Sequence, residues 1–198
     1  MTDIRVLHRR ALQVSVDAVN RVRPDQLAVP TPCSEWDLGR LLAHMTGQNH
    51  GFAAVARGES SDLSVWRDRP VGDDPGGAYA ASATDVAAAF AEDGLLERRF
   101  WLPEIRDDGT FPATLGVSFH LVDSVVHAWD VARSLGDPVE FDDEVLAAAL
   151  RISEQVPDGE NREKPGAAFK HGLAVAADGS PLDRILALLG RAPDWKAA

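Results

Sequence analysis

A single cysteine in 198 residues removes two explanations at once. Cys33 has no partner for a disulfide framework within the chain, and a cysteine-rich zinc site is equally excluded. That usage fits a reducing compartment, and the expectation is a cytoplasmic protein. Long apolar runs are absent as well: nothing approaches the roughly 20 residues that span a bilayer, and the opening MTDIRVLHRRALQ carries no apolar signal core. Runs of Lys and Arg never exceed two residues, and 20 basic against 31 acidic side chains leave a net charge of −11. Nucleic acid and anionic membrane surfaces are therefore excluded as expected partners. Tyrosine occurs once, while Ala and Val dominate the 45% of apolar residues, which suits helical packing better than a sheet. The length is enough for one domain with a sizeable core, taken here as residues 1–198.

What is present is helical periodicity. Apolar residues from Ile4 to Val22 recur at helical spacing, and Pro24 lies just beyond, so a first helix is expected there. On it, His8 reads as an exposed or core-edge imidazole, because no second ligand-type residue lies three or four positions away. Ser34 and Asp37 resemble a capping box that opens a second helix running to Gly58. Glu59 to Gly77 is rich in Ser, Asp, Pro and Gly and reads as a surface loop that can cover a site. A third helix is expected over Tyr79 to Leu96, with Ser82 or Thr84 as its cap. ERRFWLP, the turn at Asp107-Asp108-Gly109 and FPATLG suggest a small hairpin or extended link. A fourth helix stops near Gly136, and a fifth follows Asp142 or Asp143 and ends before Pro157. Residues 157–198 read as mostly loop, with a short closing helix at Leu182 to Leu189 and a loose tail.

The chemistry concentrates in SFHLVDSVVHAWDVARSLG, Ser118 to Gly136. His120, Asp123 and His127 are spaced three and four apart, so one side of the fourth helix presents a carboxylate and two imidazoles. Flanking valines turn that stripe toward an interior, where unpartnered polar groups cost several kcal/mol and a divalent cation offsets the cost. The plainer alternative is that Asp123 and His127 simply hydrogen-bond each other. His44 lies among apolar neighbours on the second helix, and antiparallel helices in a bundle can bring it opposite Asp123 and His127. His50 falls about 120° round from His44 and does not join it. His171 has no helical partner. Asp37, Gln48 and Asp130 are candidates to accept the second N–H of a ligand imidazole. Trp36 and Trp129 read as core anchors, and Cys33 as a buried thiol.

Three ordered segments carry a family resemblance: TPCSEWDLGRLLAHMTGQN, HLVDSVVHAWDVARSLG and LDRILALLGRAPDW. Together they resemble actinobacterial metal-binding proteins related to the N-terminal domain of mycothiol-dependent maleylpyruvate isomerase, in the DinB/YfiT-like superfamily. The resemblance spans nearly the whole chain and implies an all-α fold, a four-helix bundle with additional short C-terminal helices and a small extended link. It implies a divalent metal held by His44, Asp123 and His127; by ligand type, oxygen and imidazole donors suit zinc first, with nickel, manganese or iron as alternatives. The isomerase has Glu where this chain has Asp123, and the expectation is that this chain lacks the isomerase's separate C-terminal domain. His120 is an additional candidate, either a fourth ligand or an acid/base group.

The reaction these features suggest is a metal-dependent thiol S-transferase or isomerase. A mycothiol-type low-molecular-weight thiol is the expected co-substrate and a small-molecule electrophile the other partner. Two His and one carboxylate also suit non-haem iron, and a metal-binding or small-ligand-binding protein without turnover is the non-enzymatic alternative. Spare apolar area on bundle helices would permit a homodimer.

Overall fold

The structure is a computed structural model describing residues 2–33, 35–59, 62–103, 105, 109–164, 169–176 and 178–197. Among these residues the chain forms six α-helices: α1 (Ile4–Val19), α2 (Leu38–Arg57), α3 (Pro75–Phe90), α4 (Ala113–Leu135), α5 (Asp143–Ser153) and α6 (Pro181–Leu188). The expected all-α bundle is what forms. Helix α1 packs on α4, α4 on α2, α2 on α3 and α3 on α1, which closes a ring of four. None of the described helices is long and apolar enough to cross a membrane.

The ring follows from the stripes that each helix carries. In α1, Leu7, His8, Ala11, Leu12, Ser15, Ala18 and Val19 are buried, a spacing of three, four and one that marks a single helical face. Asp3 caps this helix by accepting from the Arg5 N–H. The helix stops at Val19, short of the expected Val22, because Arg21 and Val22 donate to Ala18 and Val19 in a tighter turn. One core cluster gathers Phe52, Phe90, Phe100 and Val117, and a second gathers Leu7, Leu121 and Val125 with Val145 and Ile185. The second cluster seats α5 and α6 against α1 and α4.

Two helix starts differ from the sequence expectation. Helix α2 opens at Leu38 with Asp37 itself as the cap, its carboxylate accepting from Arg40 N at 2.8 Å; the expected Ser34 end of the capping box lies outside the described residues. Carbonyls of the turn that follows Pro24–Gln26 complete this start, Val29 accepting from Leu38 N at 3.0 Å and Leu27 from Gly39 N at 2.7 Å. Helix α3 opens at Pro75, not Tyr79, because Asp74 caps it and proline presets the backbone angle of the first turn. Ser82 is then mid-helix, donating to Tyr79 O and accepting from Asn49 Nδ2, while Thr84 donates to Ala80 O. The helix ends at Phe90 instead of Leu96, where Gly94 takes a left-handed conformation before a short 3₁₀ turn.

The expected surface loop after α2 is mostly exposed among its described residues, and two buried side chains, Trp66 and Val71, anchor it to the core. Trp66 in the 3₁₀ turn Leu63–Trp66 is buried, with its ring 5.1 Å from that of Phe52 and laid against Gly51. Strands β1 (Arg99–Phe100) and β2 (Phe111–Pro112) form the expected hairpin, with Phe100 opposite Phe111. Its expected turn residues Asp107 and Asp108 lie outside the described residues.

Candidate metal centre

Helices α2 and α4 are neighbours, so His44 faces the polar stripe of α4. Each of His44, Asp123 and His127 offers one ligand atom, and these atoms lie within 4.8 Å of one another. The His127 Nε2 is 3.2 Å from Asp123 Oδ1, and the two imidazole rings stand edge to face with centroids 5.6 Å apart. His127 is nearly sealed at 5% side-chain exposure, whereas His44 and Asp123 keep 19% and 27%. The cluster therefore has a closed wall and an open mouth.

Each imidazole has a second carboxylate behind it. Asp130 Oδ2 lies 2.9 Å from His127 Nδ1, and Asp68 Oδ1, from the segment after α2, lies 3.6 Å from His44 Nδ1. Of the three outer acceptors that sequence spacing allows, Asp130 holds that position, while Asp37 caps α2. The segment that the sequence offers as a cover thus contributes Asp68 at the rim.

Charges follow from these contacts. Burial alone would raise the Asp123 carboxyl, but the adjoining His127, followed by His44 and His120, holds it well below the carboxylate range. Burial opposes a charge on His127 too, yet Asp123, Asp130 and Cys33 together raise it well above the ordinary imidazole value. His44 moves the other way: burial and the neighbouring His127 lower it, against the weaker pull of Asp123 and Asp68. Without an ion, the cluster is an imidazolium between two carboxylates.

His120 lies one turn before Asp123 but belongs to neither of the three-donor groups found among the described residues. Its Nδ1 is 2.7 Å from His8 Nε2, and both rings are sealed from solvent. Burial lowers His120 to about 4, with Asp123 raising and His127 lowering it to lesser degrees, so the ring is neutral near pH 7. His8 is a correction to the exposed or core-edge expectation. It stands four residues from Ile4 and from Leu12, on the buried face of α1, with its ring 4.8 Å from that of Phe90. That stripe was visible in the sequence; the partner came from α4, beyond the reach of any search along α1.

The remaining candidates sort by position. His50 is away from the cluster, 3.8 Å from Asp85, and His171 is half exposed between Asp158 and Glu163. Trp129 is buried on α4, while the half-buried Trp36 stacks toward His44 at 4.8 Å. Cys33 is half-buried and has close partners: its Sγ is 3.3 Å from Asp130 Oδ2 and 2.9 Å from Arg191 Nη2. Arg191, like Asp68, is a residue that sequence reasoning missed. It follows Gly190 in what reads as a loose tail, but that tail is docked, Pro193 O accepting from Arg133 Nη2 at 2.8 Å.

The donor chemistry fits a divalent ion. Two imidazole nitrogens and a carboxylate oxygen converge, each imidazole backed by a carboxylate, and three protein ligands leave a coordination position open. Residues His44, Asp123 and His127 would hold such an ion.

The fold and the cluster define a helical-bundle protein with a candidate 2-His-1-carboxylate centre between two facing helices. The chain matches the family model of the mycothiol maleylpyruvate isomerase N-terminal domain over residues 8–132, and it belongs to that family. Two uncharacterised proteins from two strains of Mycobacterium tuberculosis are each 30% identical to it over 189 residues, covering 96% of this chain and 98% of the relative. No solved structure matches the chain significantly.

Proposed function

We propose that this protein is a divalent-metal enzyme that activates a low-molecular-weight thiol for S-transfer or isomerisation. The observation that carries the reading is the convergence of His44, Asp123 and His127 within 4.8 Å across α2 and α4. Membership of a mycothiol-linked family supports a mycothiol-type thiol as co-substrate. A divalent ion supplies one thing in such a site: a thiol that coordinates it loses its proton and becomes a nucleophile near pH 7.

The protein's own residues supply the rest. Asp130 orients His127 through Nδ1, and the part-exposed edges of His44 and Asp123 define the side from which small molecules enter. His120, three residues before Asp123 on the same stripe, is proposed as the acid/base group; sealed from solvent and paired with His8, it would pass a proton to or from the electrophile by way of Asp123 and not by touching it. The electrophile is a small molecule, and the compartment proposed is the cytoplasm.

The test begins with elemental analysis of protein purified without a metal-affinity tag, for wild type, His44→Ala and His127→Ala. About one divalent ion per chain, falling in both variants, is the expected result. Thiol consumption is then followed with an epoxide or bimane electrophile, with and without chelator. A wild type that takes up no zinc, nickel, manganese or iron overturns the metal reading; a metal-loaded protein no faster than the chelated one across the panel overturns the catalytic one. Because two imidazoles and one carboxylate also suit non-haem iron, oxygen uptake with the iron-loaded protein distinguishes that second reading.

A further inference from the structure

A second group of donors shares His127. Cys33, His127 and Asp130 also bring ligand-type atoms within 4.8 Å, so His127 stands between two sets that could each take an ion. What separates them is Arg191. Its Nη2 lies 2.9 Å from Cys33 Sγ and 3.3 Å from Asp130 Oδ2, and its Nε lies 3.5 Å from Asp130 Oδ1. Asp130 has no exposed surface and Arg191 has 6%, so this guanidinium is the buried counter-charge of that carboxylate.

The C-terminal segment is built to deliver it. Ser180 and Asp183 form a capping box that starts α6, and Ile185, Leu186, Ala187 and Leu189 are buried against the bundle. Gly190 then takes φ +77°, and the Arg191 N–H returns to Leu186 O at 2.8 Å, a helix closure that turns the chain back toward α4. Glycine is needed there twice over: the left-handed angle disfavours a side chain, and a Cβ would stand 2.7 Å from Lys170 O. All of this lies outside residues 8–132, the part matched by the family model.

Building on the metal reading proposed above, we infer that Arg191 is a positioning residue that decides which of the two donor sets sharing His127 receives the ion. It does so in two ways. By pairing with Asp130 it keeps that carboxylate accepting from His127 Nδ1, which leaves Nε2 turned toward Asp123. By placing a fixed positive charge on both Cys33 and Asp130, it repels a cation from the sulfur-containing set. A planar guanidinium reaches both carboxylate oxygens and the sulfur at once, which a lysine ammonium does only in part.

Cobalt(II) is the probe, because thiolate ligation gives a near-ultraviolet sulfur-to-cobalt charge-transfer band and imidazole or carboxylate ligation does not. Wild-type protein should bind cobalt without that band. Arg191→Met should bind it about 10- to 100-fold more weakly, the usual effect of losing an outer-shell partner, and should gain the band; Arg191→Met/Cys33→Ser should lose it again. Arg191→Lys, which keeps the charge, should return the spectrum most of the way to wild type. Arg191→Gln is the second neutral variant, in case Arg191→Met fails to fold by circular dichroism, and the same shift is expected of it. A folded neutral variant with wild-type affinity and no band overturns the proposal, as does a thiolate band already present in wild type. If wild type binds no cobalt, the metal reading itself fails, a result distinct from either.

Discussion

His8 Nε2 and His120 Nδ1 meet at 2.7 Å in the core, the one on α1 and the other on α4, with a single proton to share. Burial lowers His8 well below the ordinary imidazole value of 6.5, with the neighbouring His120 adding to the effect, and it takes His120 from 6.5 to about 4. Between these limits the unfolded chain takes up protons that the native pair refuses, so stability present above pH 6.5 is lost as pH falls toward 4. His120 alone contributes on the order of 3 kcal/mol to that slope, and His8 adds in the same direction. The raised His127 does not mask it, since its stabilisation is already complete below pH 6.5 and is lost only on going alkaline. Urea midpoints at pH 7 and pH 4.5 should therefore fall steeply for wild type and less steeply for His120→Gln. Equal slopes in the two proteins would rule this explanation out.

Metal binding should be proton-linked through His127. In the ion-free protein this ring carries a proton despite burial, because Asp123 and Asp130 flank it. Coordination needs a bare nitrogen, so an ion must displace a proton to reach Nε2. Affinity should fall as pH drops, by up to about tenfold per pH unit below the folded pKa of this ring. Calorimetry in buffers of different ionisation heat should register roughly one proton released per ion bound near pH 7. An affinity that stays flat between pH 8 and 6 would place the ion elsewhere.

Helical periodicity made α1, α2, α4 and α5 readable, along with the stripe of His120, Asp123 and His127. It gives faces, not which faces meet, so the approach of His44 from α2 was available only as a permitted pairing. Two helix starts differ from the periodicity, one for a local reason and one for a tertiary reason. Gly76 and Gly77 look like loop, yet Asp74-Pro75 supplies a cap and a preset first turn strong enough to carry them. Asp37, by contrast, caps α2 directly because carbonyls at Leu27 and Val29 reach its first N–H groups, contacts that no local pattern encodes. Arg191 stayed hidden because its partners Cys33 and Asp130 are 158 and 61 residues away.

The segment after α2 offers a test in which two local rules oppose each other. Gly47 lies in the interior of α2, where replacement by alanine gains about 1 kcal/mol of helix propensity. A Cβ at that position, however, would stand 2.5 Å from Arg67 O and 3.1 Å from the carbonyl carbon. Backbone cannot rotate aside as a side chain can, and this stretch is pinned to α2 by Arg69 N donating to Ala43 O at 2.9 Å. Overpacking of this kind costs about 1–3 kcal/mol, so Gly47→Ala should be destabilising by about 1 kcal/mol net once the propensity gain is subtracted. Because Asp68 rides on the displaced segment, the same variant should loosen its contact with His44, now 3.6 Å long. Denaturant unfolding of the variant measures the first effect. A variant as stable as wild type, or more so, would mean that the segment yields freely and that Asp68 is not held over the centre by the backbone.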